Sequence, residues 1–410
     1  MISYDEAMAI LHKANPLETI ELPVQEACGY VLAEKIESTV QVPPFANSAM
    51  DGFAVRAQDI ANATENSPIS LPIAGSTVAG DQPSSGTHGA WEIMTGAPVP
   101  DGYDAVVKVE DASVNNEKVI FTAPTDKGNN IRLAGEDFSV GDVVATAGTQ
   151  LTAYHVMALA TIGQKEASVY RKPNIDLFST GKELIEDADI PLKPGQIRNS
   201  NGPYLMTALQ QMGYTPHYGG MIADEPKLFE NQLEAALPQI DIIISTGAVS
   251  AGKHDFIPDS LRNLDAKIVF HKVAIRPGKP ILYARFSNGT HYFGLPGNPV
   301  SAAVGLRFFV TPLLWVLQGM LPEKAITAYL SMPTSKKKGL RFFRKAHISI
   351  ATGGKLQLHI LDGQESFKIR PMLEANSWAV LAEDAEGMEP GEAVTVYPLM
   401  PGRWKLEANI

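Results

Sequence analysis

The sequence predicts a multidomain α/β and β protein, with a central α/β sheet domain flanked by smaller β-rich regions. Three observations carry this. From about 171 to 322, apolar strand-like runs alternate with helical ones, the pattern of a mostly parallel sheet covered by helices. Residues 60–150 are rich in Gly, Pro, Ser and Thr and hold only short apolar runs, such as Ala105 to Val109 and Lys118 to Phe121, which indicates a small β domain. After about 322, short runs (Ala346 to Ile350, Lys355 to Ile360, Ala393 to Tyr397) alternate with Gly and Pro turns. The middle run alternates apolar and polar residues, as a half-buried strand does, so this tail reads as all-β.

Ser3-x-x-Glu6 has the form of a capping box, with Ala7, Ile10 and Leu11 following at helical spacing, so a first helix is expected from about 4 to 13. Residues 20–60 are strand-like and irregular, punctuated by Pro43-Pro44. Thr152 to Ile162 reads as one short helix stopped at Gly163. In the central domain, strands are expected at 175–178, 241–245, 267–270, 281–284 and 292–295. A helix from Gly202 to Met212 has Asn201 as candidate N-cap and Gly213 just past its end. Asn298 opens a long final helix to Leu317, with Pro299 at its first turn. Pro312 should kink or interrupt that helix. Ligands of such open sheets bind outside the carboxyl ends of the strands.

With 410 residues, 45% apolar and 19% charged, the chain can bury two to four cores. A single cysteine, Cys28, excludes an intrachain disulfide and a C-x-x-C metal site, and points to a reducing compartment. The start, Met1 to Glu6, is acidic and lacks the order of a signal peptide. The longest apolar stretch, about Val300 to Leu317, contains Arg307 and is short for a membrane span. A cytoplasmic protein with no membrane association is expected. The net charge of −11 and pI of about 5.4 argue against a general nucleic-acid binder. Any anion site must then be a local cluster of cations or backbone amides.

Thr246 to Gly252 follows an apolar strand, and a loop of such small residues lets backbone N–H groups approach a phosphate. Gly247-x-x-x-x-Gly252-Lys253 mimics a Walker A, but His254 stands where a magnesium-holding hydroxyl belongs, so a true P-loop is not expected. Pro296, Asn298 and Pro299 open the final helix, whose amino end favours an anion, although ordinary helix initiation explains them equally well. Lys272, Arg276 and Lys279 lie close together between prolines and could grip an oxyanion, or form a solvated turn. Glu183, Asp224 and Asp255 sit near these loops and offer hard oxygens for magnesium. Pro43 to Phe53, Met94 to Pro98 and Gly135 to Asp137 read, on their own, as ordinary turns. The basic run Lys336 to Lys345 hints at nucleic acid, against the acidity of the chain.

Together these segments resemble the molybdopterin molybdenumtransferase family, also called MoeA, which includes the E domain of gephyrin. The resemblance rests on PPFANSAMDGFAV, IMTGAPVP, IRLAGEDF, STGKEL, STGAVSAGKHDF, AIRPGKP and GLPGNPVS, in the order of the family and spanning about 43 to 301. It implies an N-terminal helix and connecting region (1–45), an inserted β-rich domain (46–140), a further connecting region (141–170), a molybdopterin-binding α/β domain (171–322) and a C-terminal β-barrel-like domain (323–410). It implies insertion of molybdate into adenylylated molybdopterin with Mg2+-dependent release of AMP, by a homodimer whose cleft takes residues from both subunits. Asp51, Thr95, Asp137, Glu183 and Asp255 are then the expected catalytic residues. Thr246, Gly247, Ser250, Gly252, Lys272, Arg276, Lys279, Pro296, Asn298 and Pro299 would bind substrate or phosphate, and Glu183, Asp224 and Asp255 the metal. A molybdopterin adenylyltransferase and molybdoenzyme-maturation proteins are candidate partners. Ala248 stands where the family often has Gly, Lys253 where some members have an acid, and Arg276 where Lys is common. An adenylyltransferase or a molybdopterin-binding scaffold are the alternatives.

Overall fold

The computed structural model describes residues 1–86, 88–247 and 256–404, and the backbone of 407–408. The first helix, Tyr4–Leu11, makes its capping box in full: Ser3 Oγ accepts from the Glu6 N–H at 3.1 Å, and the Ser3 N–H donates to Glu6 Oε2 at 2.7 Å. It ends two residues short of the expected position. Ala7, Met8 and Leu11 pack into the core of the α/β domain, so the amino end of the chain is a strut of that domain.

The chain then builds a connecting region from two distant segments. Strands Thr19–Pro23 and Val31–Leu32 flank Glu166–Tyr170 in one sheet. Helix Ala153–Thr161 covers it, stopped by Gly163 at φ +78°. Between the two segments lies a lobe with a six-stranded sheet, in the order Ala105–Lys108, Gly52–Val55, Ala90–Ile93, Ile69–Thr77, Lys118–Phe121, Ala112–Asn115.

The α/β domain holds six strands in the order His217–Ile222, Ile175–Thr180, Ile242–Thr246, His291–Leu295, Leu282–Arg285, Lys267–His271. The first four are parallel; Leu282–Arg285 runs against them, and Lys267–His271 pairs antiparallel with it and so returns to their direction. The reversal has a local cause: Leu282–Arg285 reaches His291–Leu295 through a tight turn at Gly289, too short for a parallel crossover. Strand Ile242–Thr246 is buried throughout because each face meets a separate core: Ile242 and Ile244 face one, Ile243 the other.

Two details differ from the sequence reading. Ser200, not Asn201, is the N-cap of helix Asn201–Gln211; the Asn201 amide instead donates to the Gly297 carbonyl at 2.8 Å, tying this helix to the loop after a neighbouring strand. Asn298 occupies the N-cap position of the final helix, but its side chain makes no cap bond. That helix is interrupted as Pro312 predicts: a π-helical segment, Leu306–Val310, precedes Thr311–Leu317. Proline lacks an N–H, and the wider turn absorbs the loss while Thr311 Oγ1 donates to the Leu306 carbonyl at 2.8 Å. Pro299–Leu317 is the one helix among the described residues long and apolar enough to cross a membrane, and 83% of it is buried inside the protein.

The C-terminal region closes into a five-stranded barrel: Arg341–Ile350, Leu356–Ile360, Ile326–Leu330, Ala393–Pro398, Ser377–Leu381 and back to Arg341–Ile350. It is fastened to the α/β domain by pairing of Ile275–Arg276 with Arg341 and Phe342. Arg307 adds a bond to the Pro398 carbonyl at 3.1 Å and an ion pair with Glu323. The basic run is solvated only in part: Lys337 and Lys338 are exposed, but its two ends are not. Lys345 is fully buried, and its ammonium donates to the carbonyls of Gly363 (2.6 Å), Lys368 (3.0 Å) and Glu365 (3.3 Å). Lys336 is buried too, on the carbonyls of Leu340 and Glu383. Lys345→Met should lower unfolding stability by about 3 kcal/mol, because it strands three carbonyls, each matched to a charged donor. Urea denaturation followed by circular dichroism measures this, and an unchanged midpoint would contradict it.

Candidate active site

The parallel strands end side by side at Thr180, Thr246 and Leu295. Thr180 Oγ1 donates to the Thr246 carbonyl at 3.0 Å, and the Gly247 N–H donates to the Leu295 carbonyl at 3.1 Å. Gly247 has φ +92°, and a Cβ there would lie 2.2 Å from the Thr180 carbonyl oxygen. Only glycine fits. Above this edge opens a cleft of about 630 Å³ that includes Glu183, Thr246, Gly247, Pro296, Asn298 and Pro299. Six predicted site residues thus meet in one place. Ser250, Gly252 and Asp255 lie outside the described residues, as do Ala248 and Lys253. A helix runs from Ile257 to Asn263, with Pro258 in its first turn.

Glu183 and Asp224 follow neighbouring parallel strands, paired at Thr180 and Ile222. Asp224 Oδ2 accepts from the Lys182 N–H at 3.1 Å, while Glu183 is exposed in the cleft. Among the described residues, no three His, Cys, Asp or Glu converge as a metal cage.

A second cleft, of about 830 Å³, lies between the α/β domain and the barrel. Arg276, Arg344 and Lys336 surround the Phe342 ring there, at 5.6, 5.4 and 5.3 Å from its centre. Burial lowers the Arg344 pKa, and the nearby Arg276 charge lowers it further. Arg344 Nε is buried with no partner. Lys272 and Lys279 line neither cleft; Lys272 sits at φ +73°, its N–H on the Ile281 carbonyl. So Arg276 finds its cationic neighbours on the barrel, not in its own segment. The signal was available: Arg344 and Lys345 are adjacent on a strand and therefore face opposite ways.

The two clefts draw on nearby residues of the same two segments. Arg276 and Pro277 line the second and Pro280 the first; Leu361 to Glu365 line the second, Phe367 and Ile369 the first.

Asp51 and Thr95, far apart in sequence, meet in the inserted lobe. The Thr95 N–H and Oγ1 both donate to Asp51 Oδ1, at 2.7 and 2.8 Å. Those two bonds hold the Asp51 carboxyl below its usual pKa. The three turn motifs of this lobe form one hub. Asn47–Ser48 pairs with Ile131–Arg132, the Gly96 N–H donates to the Ser48 carbonyl at 2.8 Å, and the Asp137 N–H to the Val42 carbonyl at 2.9 Å. Among the described residues, no hydrogen bond joins 46–140 to the α/β domain.

The comparisons with known proteins agree along the whole chain. Residues 2–163 match the MoeA N-terminal region (domain I and II), 176–315 the "Probable molybdopterin binding domain", and 327–399 the MoeA C-terminal region (domain IV). The molybdopterin molybdenumtransferase of Synechococcus elongatus is 34% identical over 97% of this chain and 100% of its own length. The chain belongs to the MoeA family. The Haemophilus influenzae member of the same name is 34% identical over 97% of this chain and 98% of its own. The crystal structure of the molybdopterin biosynthesis MoeA protein from Pyrococcus horikoshii OT3 superposes with a TM-score of 0.80 at 29% identity, covering 97% of this chain and 99% of that one. The MoeA fold expected from the sequence motifs is thus the fold observed.

Two outcomes follow for the site. Thr95→Val removes one of the two bonds that hold the Asp51 proton off, so the Asp51 pKa rises; any activity that needs its carboxylate loses its acid limb at higher pH, which a pH–rate profile reads out. Gly247→Ala strains the backbone by about 1–2 kcal/mol before any clash, and should abolish ligand binding in the first cleft; full AMP binding by this variant would refute the close-approach role.

Proposed function

We propose that this chain inserts molybdate into adenylylated molybdopterin, with release of AMP. Family membership supports it, as does the shared name of relatives matched along their full length. One geometric observation carries it: a cation-lined cleft and a cleft at the phosphate-accepting edge of the sheet are lined by nearby residues of the same two segments, 276–280 and 361–369. Molybdate held in one can reach a substrate held in the other. An adenylyltransferase needs neither the second cleft nor the barrel that forms it.

In this reading Arg276, Arg344 and Lys336 bind the molybdate dianion, whose charge relieves their mutual repulsion. The backbone at Gly247 approaches the substrate phosphate, and Thr246, Pro296, Asn298 and Pro299 shape the floor beneath it. Glu183 and Asp224 would hold magnesium, together with Asp255, which lies outside the described residues, and the ion would neutralise the phosphoanhydride charge. Asp51, kept ionised by Thr95, orients a cation or water and does not serve as a proton donor.

We infer a homodimer in which the Asp51–Thr95–Asp137 lobe of one copy completes the clefts of the other. Asp51 and Thr95 are both exposed on that lobe, open to a second copy, which supports this. The single cysteine supports a cytoplasmic setting.

With verified adenylylated molybdopterin, molybdate and Mg2+, the purified protein should release AMP and yield active cofactor; no release would overturn the reading. Arg344→Met should raise the molybdate concentration needed for half-maximal rate by about tenfold or more, the scale of one charged hydrogen bond, while AMP binding stays within about twofold.

A further inference from the structure

The first cleft has an apolar wall that phosphate and metal chemistry leave unused. Phe367 is 63% exposed, Ile369 54% and Ile197 55%, and all three line it. Large apolar side chains gathered open in a concave site indicate a ligand with an apolar face. The segment that carries Phe367 is not loose. The buried Lys345 ammonium grips the carbonyls of Gly363, Glu365 and Lys368, on both sides of Phe367. The Gln364 amide donates to the Lys345 and Leu361 carbonyls, at 2.8 and 2.6 Å. The Ser366 carbonyl accepts from the Val300 N–H at 3.0 Å, which fastens the loop to the final helix. Every neighbour of Phe367 in this loop is thus held, while its ring is left open to the cleft. Asn201, in the same cleft, keeps Oδ1 without a hydrogen-bond partner while Nδ2 donates to the Gly297 carbonyl.

We propose that Phe367 is the stacking platform for the pterin ring of the substrate, and so a positioning residue for the insertion. This rests on the function proposed above. The substrate carries two flat heterocycles, pterin and adenine. The choice follows from the loop that presents Phe367: a few residues earlier, at Leu361 to Glu365, it lines the cationic cleft. The ring beside that cleft must be the one joined directly to the dithiolene that receives molybdenum. That ring is the pterin, whereas adenine lies beyond the ribose and the phosphoanhydride.

The test uses the full-length protein and two probes, pterin-6-carboxylate and AMP, titrated calorimetrically. Phe367→Ala should weaken the pterin probe about tenfold, the effect of removing one aromatic stacking partner, and leave AMP within about twofold. Phe367→Trp should restore pterin binding. In turnover, Phe367→Ala should raise KM for adenylylated molybdopterin with kcat nearly kept, and thermal unfolding should not change because the side chain is exposed. Unchanged pterin affinity in Phe367→Ala, a loss confined to AMP, or no pterin binding by the wild type each overturns the proposal. Wild-type pterin binding lost in Phe367→Ala, without any AMP release from a verified substrate, would instead reject the function and leave the platform standing.

Discussion

A lysine ammonium without water must find its donors' partners in the protein. Lys345 does so by gathering three carbonyls from a single loop of the barrel. Burial lowers its pKa, and the carbonyl dipoles are what make the charged form tolerable. The consequence is geometric. Residues 361–369 become a fixed loop that lines the cationic cleft with Leu361 to Glu365 and the apolar wall of the other with Phe367 and Ile369. The barrel, which at first reads as an appendage to the α/β domain, is thereby part of the chemistry. A loop held only by its ends would leave both clefts undefined.

The α/β domain supplies the complementary rigid edge. Strands Ile175–Thr180, Ile242–Thr246 and His291–Leu295 run in register, so their carboxyl ends arrive at one level. Gly247 then turns at positive φ against the Thr180 carbonyl, which brings backbone rather than side chain to the cleft. Order at this edge comes from the sheet, and Asn201 extends it by tying a helix start to Gly297. The inserted lobe offers a third preformed piece, the Asp51–Thr95 pair, on a hub of turns whose backbone bonds are satisfied within the lobe. Each piece is stiff alone, so the reaction depends on how the pieces are brought together, not on the folding of any one loop.

Much of this was legible in the sequence where the signal is local. Ser3 and Glu6 cap a helix across one turn, Gly163 stops another, and Pro312 disturbs a third within a turn of itself. Thr246, Gly247, Pro296 and Asn298 could be placed together because consecutive strand-to-helix crossovers return their loops to one edge of a sheet. Strand direction was not legible: a strand buried on both faces has the same apolar run whichever way it points, so the antiparallel pair at 267–285 was hidden. Barrel closure between Arg341–Ile350 and Ser377–Leu381 was equally hidden, being a matter of long-range register. The helix cap at Ser200 in place of Asn201 shows a further limit: a side chain with a better tertiary partner leaves its local duty to a neighbour.

Arg276 and Arg344 make the sharpest case. Considered by segment, one belonged to a phosphate-binding candidate and the other to a basic run of doubtful meaning. In space they face the same ring, and the charge of one disfavours the charge of the other. Two converging cations with a buried, unpartnered Nε make a poor structural element, since a carboxylate in their place would cost nothing in shape and remove the repulsion. Their arrangement is intelligible as one half of an interaction whose other half arrives from solution. In the function proposed here a tetrahedral dianion would relieve that repulsion, and the parallel pairing of Ile275–Arg276 with Arg341 and Phe342 sets Arg276 beside the strand that carries Arg344. On that reading, affinity for an oxyanion, more than fold stability, is the property these residues serve.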